Sequence, residues 1–110
     1  MSEENIEKVV DLYSNMIKKY FGDKFAAMYL YGSCARGDYT EYSDIDTFIL
    51  ITADKSEIAG KLGEICSIKS DLNLKNNVQV SSVIENKDFF EKWKYDNPLF
   101  INVIRDGVEL

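Results

Sequence analysis

Apolar residues recur every three or four positions along four stretches of the chain, a spacing that predicts amphipathic helices. In the first stretch Ile6, Val10, Tyr13 and Ile17 fall on one stripe. Acidic residues precede this stripe and lysines follow it, which suits the dipole of a helix. The predicted helices are residues 2–21, 55–74, 87–94 and 99–104.

Four shorter stretches are predicted to be β-strands. The segment Phe25–Tyr31, FAAMYLY, is almost wholly apolar, which is typical of a central strand buried on both faces. The other predicted strands are residues 44–51, 78–84 and 108–110. The helix over residues 55–74 is long enough to cross back over the sheet. The pattern therefore predicts one α/β (α+β) domain over residues 1–110, with helices packed on a small mixed sheet of three to four strands.

Composition and charge exclude several classes of partner and of catalytic chemistry. The formal net charge of −6 opposes a broad electrostatic grip on extended DNA or RNA. No apolar run approaches the ~20 residues of a membrane-spanning helix, and the polar N-terminus is unlike a secretory leader, so we expect a cytoplasmic protein that does not enter a membrane. The absence of histidine excludes a Ser-His-Asp triad and every zinc site that needs histidine. Carboxylates, lysines, hydroxyls or a hard metal ion must carry the chemistry.

One stretch between two apolar strands, GSCARGDYTEYSDID, concentrates the residues suited to such chemistry. Gly32 lets backbone amides come close to a phosphate, and Ser33 adds a hydroxyl group. Arg36 follows about one helical turn later, where its guanidinium group can reach a terminal phosphate. Asp44 and Asp46 are one strand period apart, so their carboxylates point to the same face and can hold Mg²⁺ between them. The stretch predicts a site for a nucleotide and a metal ion.

The same run is similar to the GSxARGxxxxxSDID pattern of the minimal nucleotidyltransferase family, within the DNA polymerase beta-like nucleotidyltransferase superfamily. The resemblance covers nearly the whole chain and implies the nucleotidyltransferase fold. It also implies ATP as substrate and one or two Mg²⁺ ions, or Mn²⁺ in their place. The implied nucleotide-binding residues are Gly32, Ser33, Arg36 and Ser43, and the implied catalytic metal ligands are Asp44 and Asp46. Ser43 is expected to cap or orient the aspartate strand.

The third predicted strand departs from this pattern. Active members of the superfamily use a third carboxylate there, on the metal ion that activates the acceptor hydroxyl. In this chain the matching position is Gln79, with Ser81 as the neighbouring choice on the same face, and neither side chain can be an anionic ligand. Glu85 shares the parity of Gln79, but six residues of strand separate them by ~20 Å. Gln79 and Glu85 are therefore only candidate positions for a third ligand.

The resemblance implies transfer of AMP from ATP to a hydroxyl group, with release of pyrophosphate. Many minimal members are antitoxins that bind a HEPN-type ribonuclease and can AMPylate it, so the expected acceptor is a protein partner. The missing carboxylate leaves a second hypothesis open, a nucleotide-binding or partner-binding module that acts by contact. Transfer to a small molecule such as an aminoglycoside ranks lower, because the larger relatives that do so carry an additional helical domain. Seven tyrosines leave material for an oligomer interface, and the oligomeric state stays open.

Overall fold

The computed structural model describes residues 2–110 and contains every predicted helix and strand, each end within two residues of its expected position. The helices are α1 (Glu3–Phe21), α2 (Ser33–Arg36), α3 (Lys55–Asn76), α4 (Lys87–Trp93) and α5 (Pro98–Asp106), with a 3₁₀ turn at Gly22–Lys24. The strands are β1 (Phe25–Tyr31), β2 (Ile45–Ile51), β3 (Val80–Asn86) and β4 (Val108–Glu109). Among residues 2–110, no helix is both long and apolar enough to cross a membrane.

The strands form one mixed sheet in the order β3-β2-β1-β4. β1 pairs antiparallel with both β2 and β4, whereas β2 and β3 run parallel. A parallel pair needs a long connection, and α3 supplies it, as the sequence predicts. The first residues of β2 and β3 consequently lie side by side, at the end of the sheet where β1 finishes.

Polar side chains cap the helices and fix where the chain enters and leaves the sheet. Ser2 Oγ accepts the Asn5 N–H at the start of α1 over 3.1 Å. Asp54, Asn86 and Asn97 cap α3, α4 and α5 in the same manner. Each side chain satisfies amide groups that the first helical turn leaves without an intrahelical partner. These local signals place the ends of the helices close to the predicted positions.

The core lies on both faces of β2, whose side chains alternate between two clusters. Ile45 and Ile49 face the cluster built on α1 and α3. Phe48 and Leu50 face the smaller cluster built on α4 and α5. Because alternate residues of a strand share a face, Asp46 belongs to the face of Phe48 and Leu50. The α4–α5 side of the sheet is therefore the side on which functional groups are expected.

The prediction that β1 is buried on both faces is wrong for most of its length. Met28 is the one fully buried residue of β1, and the other six are half-buried. Leu30 packs against the cluster of α1 and α3 and Tyr29 against that of α4 and α5, but neither cluster covers its face of β1 completely. It is β2 that the core surrounds.

The buried stripe of α3 is narrower than the spacing of its apolar residues predicts. Ile58, Ile65 and Leu72, seven residues apart, are buried against the sheet. Leu62, which the spacing places on the same stripe, is 45% exposed. Helix α3 therefore contacts the sheet along a narrow line, and much of its surface faces solvent.

Candidate functional site

Asp44 and Asp46 lie together at the start of β2. Asp46 is paired in register with Tyr31 of β1 and with Ser81 of β3. Asp44 precedes the strand, and its Oδ2 accepts a hydrogen bond from Ser81 Oγ over 3.3 Å. Partial burial, and then the charge of Asp44, raise the pKa of Asp46 above its usual range, against the opposing effect of Arg36. Two mutually repelling carboxylates on one face form a natural position for a cation.

Gly32 approaches Asp46 more closely than any other residue type could. Its backbone has φ 73° and ψ −155°, a conformation open essentially to glycine alone. A Cβ atom built on Gly32 would lie 2.5 Å from Oδ2 of Asp46. The turn after β1 and the start of β2 are thus fitted against each other around a glycine. The structure brings together the two ends of the motif, as the sequence predicts.

The turn continues directly into the short helix α2. The Ala35 and Arg36 amides donate to the Gly32 carbonyl, each over 3.1 Å. Cys34 Sγ lies 3.5 Å from the Asp44 carbonyl oxygen and links the helix to the segment before β2. Ser33 is the first residue of α2, immediately beside Gly32. Gly32 and Ser33 consequently occupy the edge of the site beside the aspartates.

Arg36 is held by two carboxylates. Its Nε donates to Asp38 Oδ2 over 3.2 Å, and an N–H of Nη1 donates to Asp106 Oδ2 over 3.3 Å. Asp106 is the last residue of α5, far from Arg36 in the sequence. Its own pKa lies below the usual range because Arg105 and then Arg36 hydrogen-bond to it, with burial opposing them. Sequence reasoning missed Asp106, and no local pattern marks it.

Ser43 closes the loop that leads into the aspartates. Its Oγ accepts the Thr40 N–H over 2.8 Å, and its own N–H donates to the Thr40 carbonyl over 3.2 Å. This reciprocal pair shapes the chain immediately before Asp44. Ser43 Oγ also lies 3.4 Å from Thr40 Oγ1, and both contacts are consistent with the expected orienting role of Ser43.

The candidate positions for a third ligand lie in three different places. The Gln79 carbonyl accepts the Ile45 N–H over 2.8 Å, and the residue precedes β3. Ser81 stands opposite Asp46 and contacts Asp44. Glu85 pairs with Leu50, and its carboxylate accepts the N–H of the next residue. Four residues of strand, ~13 Å, separate Ser81 from Glu85, so the structure does not bring Glu85 to the aspartates.

A hydroxyl group therefore occupies the place beside the aspartate pair. Throughout residues 2–110, no three side chains among histidine, cysteine, aspartate and glutamate converge as a metal site. The two aspartates remain the available anionic ligands in the described part of the chain.

A buried chain of hydroxyl groups lies on the opposite face of the same strands. Tyr13 of α1 and Ser82 of β3 share a hydrogen bond of 2.6 Å between their hydroxyl oxygens. Ser82 Oγ also lies 2.9 Å from Thr47 Oγ1, which donates to the Ser81 carbonyl over 2.9 Å. The network ties α1 to β2 and β3 one residue beyond the site. It holds Ser81 in register with Asp46.

Tyr31 is a second residue that sequence reasoning missed. It is the last residue of β1, pairs with Asp46, and packs edge-on against Phe48 with ring centroids 6.4 Å apart. Burial, and then the charge of Asp46, raise the pKa of its hydroxyl group. The available signal was its place in the sequence, since Tyr31 directly precedes Gly32 at the end of an apolar strand.

Comparison with known proteins identifies the family. Residues 14–104 match the family model described as a nucleotidyltransferase domain. A protein of Methanocaldococcus jannaschii named "Putative protein adenylyltransferase" is 31% identical over 106 residues, which cover 94% of this chain and 95% of that protein. The chain belongs to the nucleotidyltransferase domain family. The resemblance carried by the glycine-serine turn and the aspartate pair is confirmed.

Solved structures confirm the nucleotidyltransferase fold. A "putative nucleotidyltransferase" from Sulfolobus solfataricus superposes with a TM-score of 0.60 at 17% identity, covering 97% of this chain and 80% of that one. A toxin-antitoxin complex with AMP-PNP gives a TM-score of 0.52 at 21% identity, covering 99% of this chain and 72% of that chain. At these identities the likeness establishes the fold.

Proposed function

We propose that this nucleotidyltransferase transfers AMP from ATP to a hydroxyl group of a partner protein in the cytoplasm, with Mg²⁺ at Asp44 and Asp46. The observation that carries the proposal is the contact between Gly32 and Asp46, where a Cβ atom would fall 2.5 Å from the carboxylate. It sets the phosphate-binding turn directly beside the metal ligands. Phosphate and metal must be neighbours in nucleotidyl transfer, because the cation neutralises the charge of the phosphate oxygens.

The donor set fits a hard divalent cation. Asp44 and Asp46 supply carboxylate oxygens, and Ser81 supplies a neutral hydroxyl oxygen beside Asp44. Mg²⁺ is commonly bound through one or two carboxylates, with phosphate oxygens and water completing its shell. Mn²⁺ accepts the same oxygen ligands. When bound, the ion polarises the α-phosphate and stabilises charge on the attacking and leaving oxygens.

The residues around the aspartates suit the remaining tasks of the reaction. The turn at Gly32 and Ser33 binds the phosphates, and Arg36 retains N–H groups for the terminal phosphate. The acceptor oxygen forms a bond to the α-phosphorus as the bond to the pyrophosphate oxygen breaks. The hydroxyl proton passes to solvent, and pyrophosphate leaves with the bonding electron pair. The products are pyrophosphate and an AMP ester of the acceptor.

A protein acceptor is supported by the relatives. The Methanocaldococcus protein is named as an adenylyltransferase of proteins, and it matches along nearly its whole length. One structure that shares the fold is a toxin-antitoxin complex with a nucleotide analogue. The family resemblance of the motif points further, to a HEPN-type ribonuclease as the partner. A tyrosine hydroxyl of that partner is the proposed acceptor.

Transfer can be tested with ATP labelled at the α-phosphate, Mg²⁺ and a HEPN-type protein encoded beside this chain. We expect label on the partner with the native chain and none with a double variant, Asp44→Asn with Asp46→Asn. ATP labelled at the γ-phosphate serves as the matched control and should leave the partner unlabelled. Absence of label on the partner with both Mg²⁺ and Mn²⁺ would contradict the enzymatic proposal.

Ser81 favours one alternative, a module that binds a partner by contact and uses the nucleotide site little or not at all. In that case the double aspartate variant binds and neutralises the partner as well as the native chain does. Under the enzymatic proposal, the same variant still forms the complex but no longer modifies the partner. A binding measurement and a toxicity assay on one pair of proteins separate the two functions.

A further inference from the structure

We infer that Asp106, at the end of α5, positions Arg36 for the terminal phosphates of ATP. This inference rests on the proposed function and assigns a part in it to a residue outside the motif. Asp106 Oδ2 receives an N–H of Arg36 over 3.3 Å and one of Arg105 over 3.1 Å. The contact joins the C-terminal part of the chain to the phosphate-binding turn.

The contacts of Arg36 leave part of its guanidinium group available. The group carries five N–H donors. Nε is directed at Asp38 and one N–H of Nη1 at Asp106, so three donors remain for a ligand. Two carboxylates, one at Nε and one at Nη1, together restrict the orientation of the guanidinium group. A phosphate can then bind to the remaining N–H groups without first immobilising a flexible side chain.

Asp106 is the better anchored of the two carboxylates. Its side chain is 12% exposed, whereas that of Asp38, in the loop after α2, is 62% exposed. The Gly107 N–H donates to the Val103 carbonyl over 2.7 Å, and a Cβ atom on Gly107 would collide with that carbonyl oxygen. Val103 itself is buried in the core cluster of α4 and α5. The end of α5 is thereby fixed to the protein interior, and Arg36 is fixed to the end of α5.

An opposing role for Asp106 makes a distinct prediction. If Asp106 competed with phosphate for Arg36, its removal would release the arginine and tighten ATP binding. Loss of one negative charge near an anionic ligand would also tighten binding. If removal of Asp106 weakens ATP binding, Asp106 therefore positions Arg36, because the loss of its negative charge alone would strengthen ATP binding.

Calorimetric titration with ATP and with AMP, both in Mg²⁺, tests the inference on the full chain. We expect Asp106→Asn to weaken ATP binding about threefold to tenfold, the cost of ordering one long side chain on binding. AMP lacks the terminal phosphates, so its affinity should change less than about twofold. Asp106→Glu, which keeps the carboxylate, should recover part of the loss. Asp96→Asn, an exposed acid on the loop before α5, is the matched control and should bind both nucleotides like the native chain.

The outcomes distinguish the inference from the proposed function. An unchanged or tighter ATP affinity in Asp106→Asn overturns the positioning role and leaves the proposed function intact. An equal loss for ATP and AMP also overturns it, because a general structural defect would then be the cause. Failure of the native chain to bind ATP in Mg²⁺ would overturn both.

Discussion

Ser81 Oγ donates a hydrogen bond to Oδ2 of Asp44 over 3.3 Å, so a side chain of β3 reaches the aspartate pair. The register of β2 and β3 also places Ser81 directly opposite Asp46. Gln79 lies before the strand, and Glu85 lies beside Leu50 at its far end. Of the three candidate positions, Ser81 is therefore the one whose side chain contacts the aspartate pair, and this side chain is neutral.

We predict that Ser81→Asp raises the rate of AMP transfer about tenfold or more, since a third carboxylate completes the ligand set of a second metal ion. The rate of label transfer at saturating ATP measures the gain. Gln79→Asp is the matched control, because it adds the same charge one strand period away and should leave the rate nearly unchanged. A rate that rises equally in both variants, or in neither, would refute the assignment of this position.

Replacement of Gly32 by alanine is expected to impair folding and nucleotide binding together. The backbone conformation alone costs a residue with a Cβ atom roughly 1–3 kcal/mol. The new methyl group would also displace the carboxylate of Asp46, 2.5 Å away. Gly22→Ala is the matched control, because φ at Gly22 is 59° and nothing lies within 4 Å of an added Cβ atom. Urea unfolding should show a loss in both variants, whereas calorimetry should show weaker ATP binding for Gly32→Ala alone.

Asp46→Asn should stabilise the protein when no divalent metal is present. In the native chain, burial and the charge of Asp44 raise the pKa of Asp46, so ionisation of this group opposes folding. Stability from a raised carboxyl pKa declines as pH rises through that pKa, and the amide removes this decline. The melting temperature in EDTA at neutral pH should therefore increase. A decrease would show that the carboxylate stabilises the metal-free fold, contrary to the site described.

The buried hydroxyl network predicts a pH dependence at the alkaline end. Burial raises the pKa of Tyr13 to about 12, against the opposing effect of its hydrogen bond with Ser82. A tyrosine in the unfolded chain ionises near pH 10, so the folded state loses stability as pH rises from about 10 toward 12. Tyr13→Phe should lower the free energy of unfolding by roughly 1 kcal/mol at pH 7, the value of one hydrogen bond. Between pH 10 and 12 the free energy of unfolding of this variant, measured by urea unfolding, should fall less steeply than that of the native chain. An equally steep fall in the two proteins would exclude Tyr13 as its cause.

The sequence predicts the helices, the strands and the motif because each is specified locally. Apolar spacing defines α1 and β2, and Ser2 and Asp54 mark where helices begin. The glycine-serine turn and the two aspartates of the run from Gly32 to Asp46 predict the candidate site. All of these signals lie within short segments, where periodicity and capping act directly.

Register and long-range contacts could not be predicted in the same way. β3 begins at Val80, two residues later than expected, because the Asn73 side chain accepts the Val80 N–H over 2.9 Å and Asn77 takes a left-handed conformation. This start is what puts Ser81 opposite Asp46. The pairing of Arg36 with Asp106 likewise depends on where α5 ends in space, which no local pattern encodes.

Metal-dependent binding of ATP tests the central claim most directly. The melting temperature of the native chain should rise with ATP and Mg²⁺ together and stay unchanged with ATP and EDTA. At an ATP concentration about one hundred times Kd, the stabilisation should be about 2.7 kcal/mol. The double variant, Asp44→Asn with Asp46→Asn, should show no shift relative to its own ligand-free melting temperature. An equal shift for the variant, or a shift that survives EDTA, would contradict a magnesium and triphosphate site at Gly32, Asp44 and Asp46.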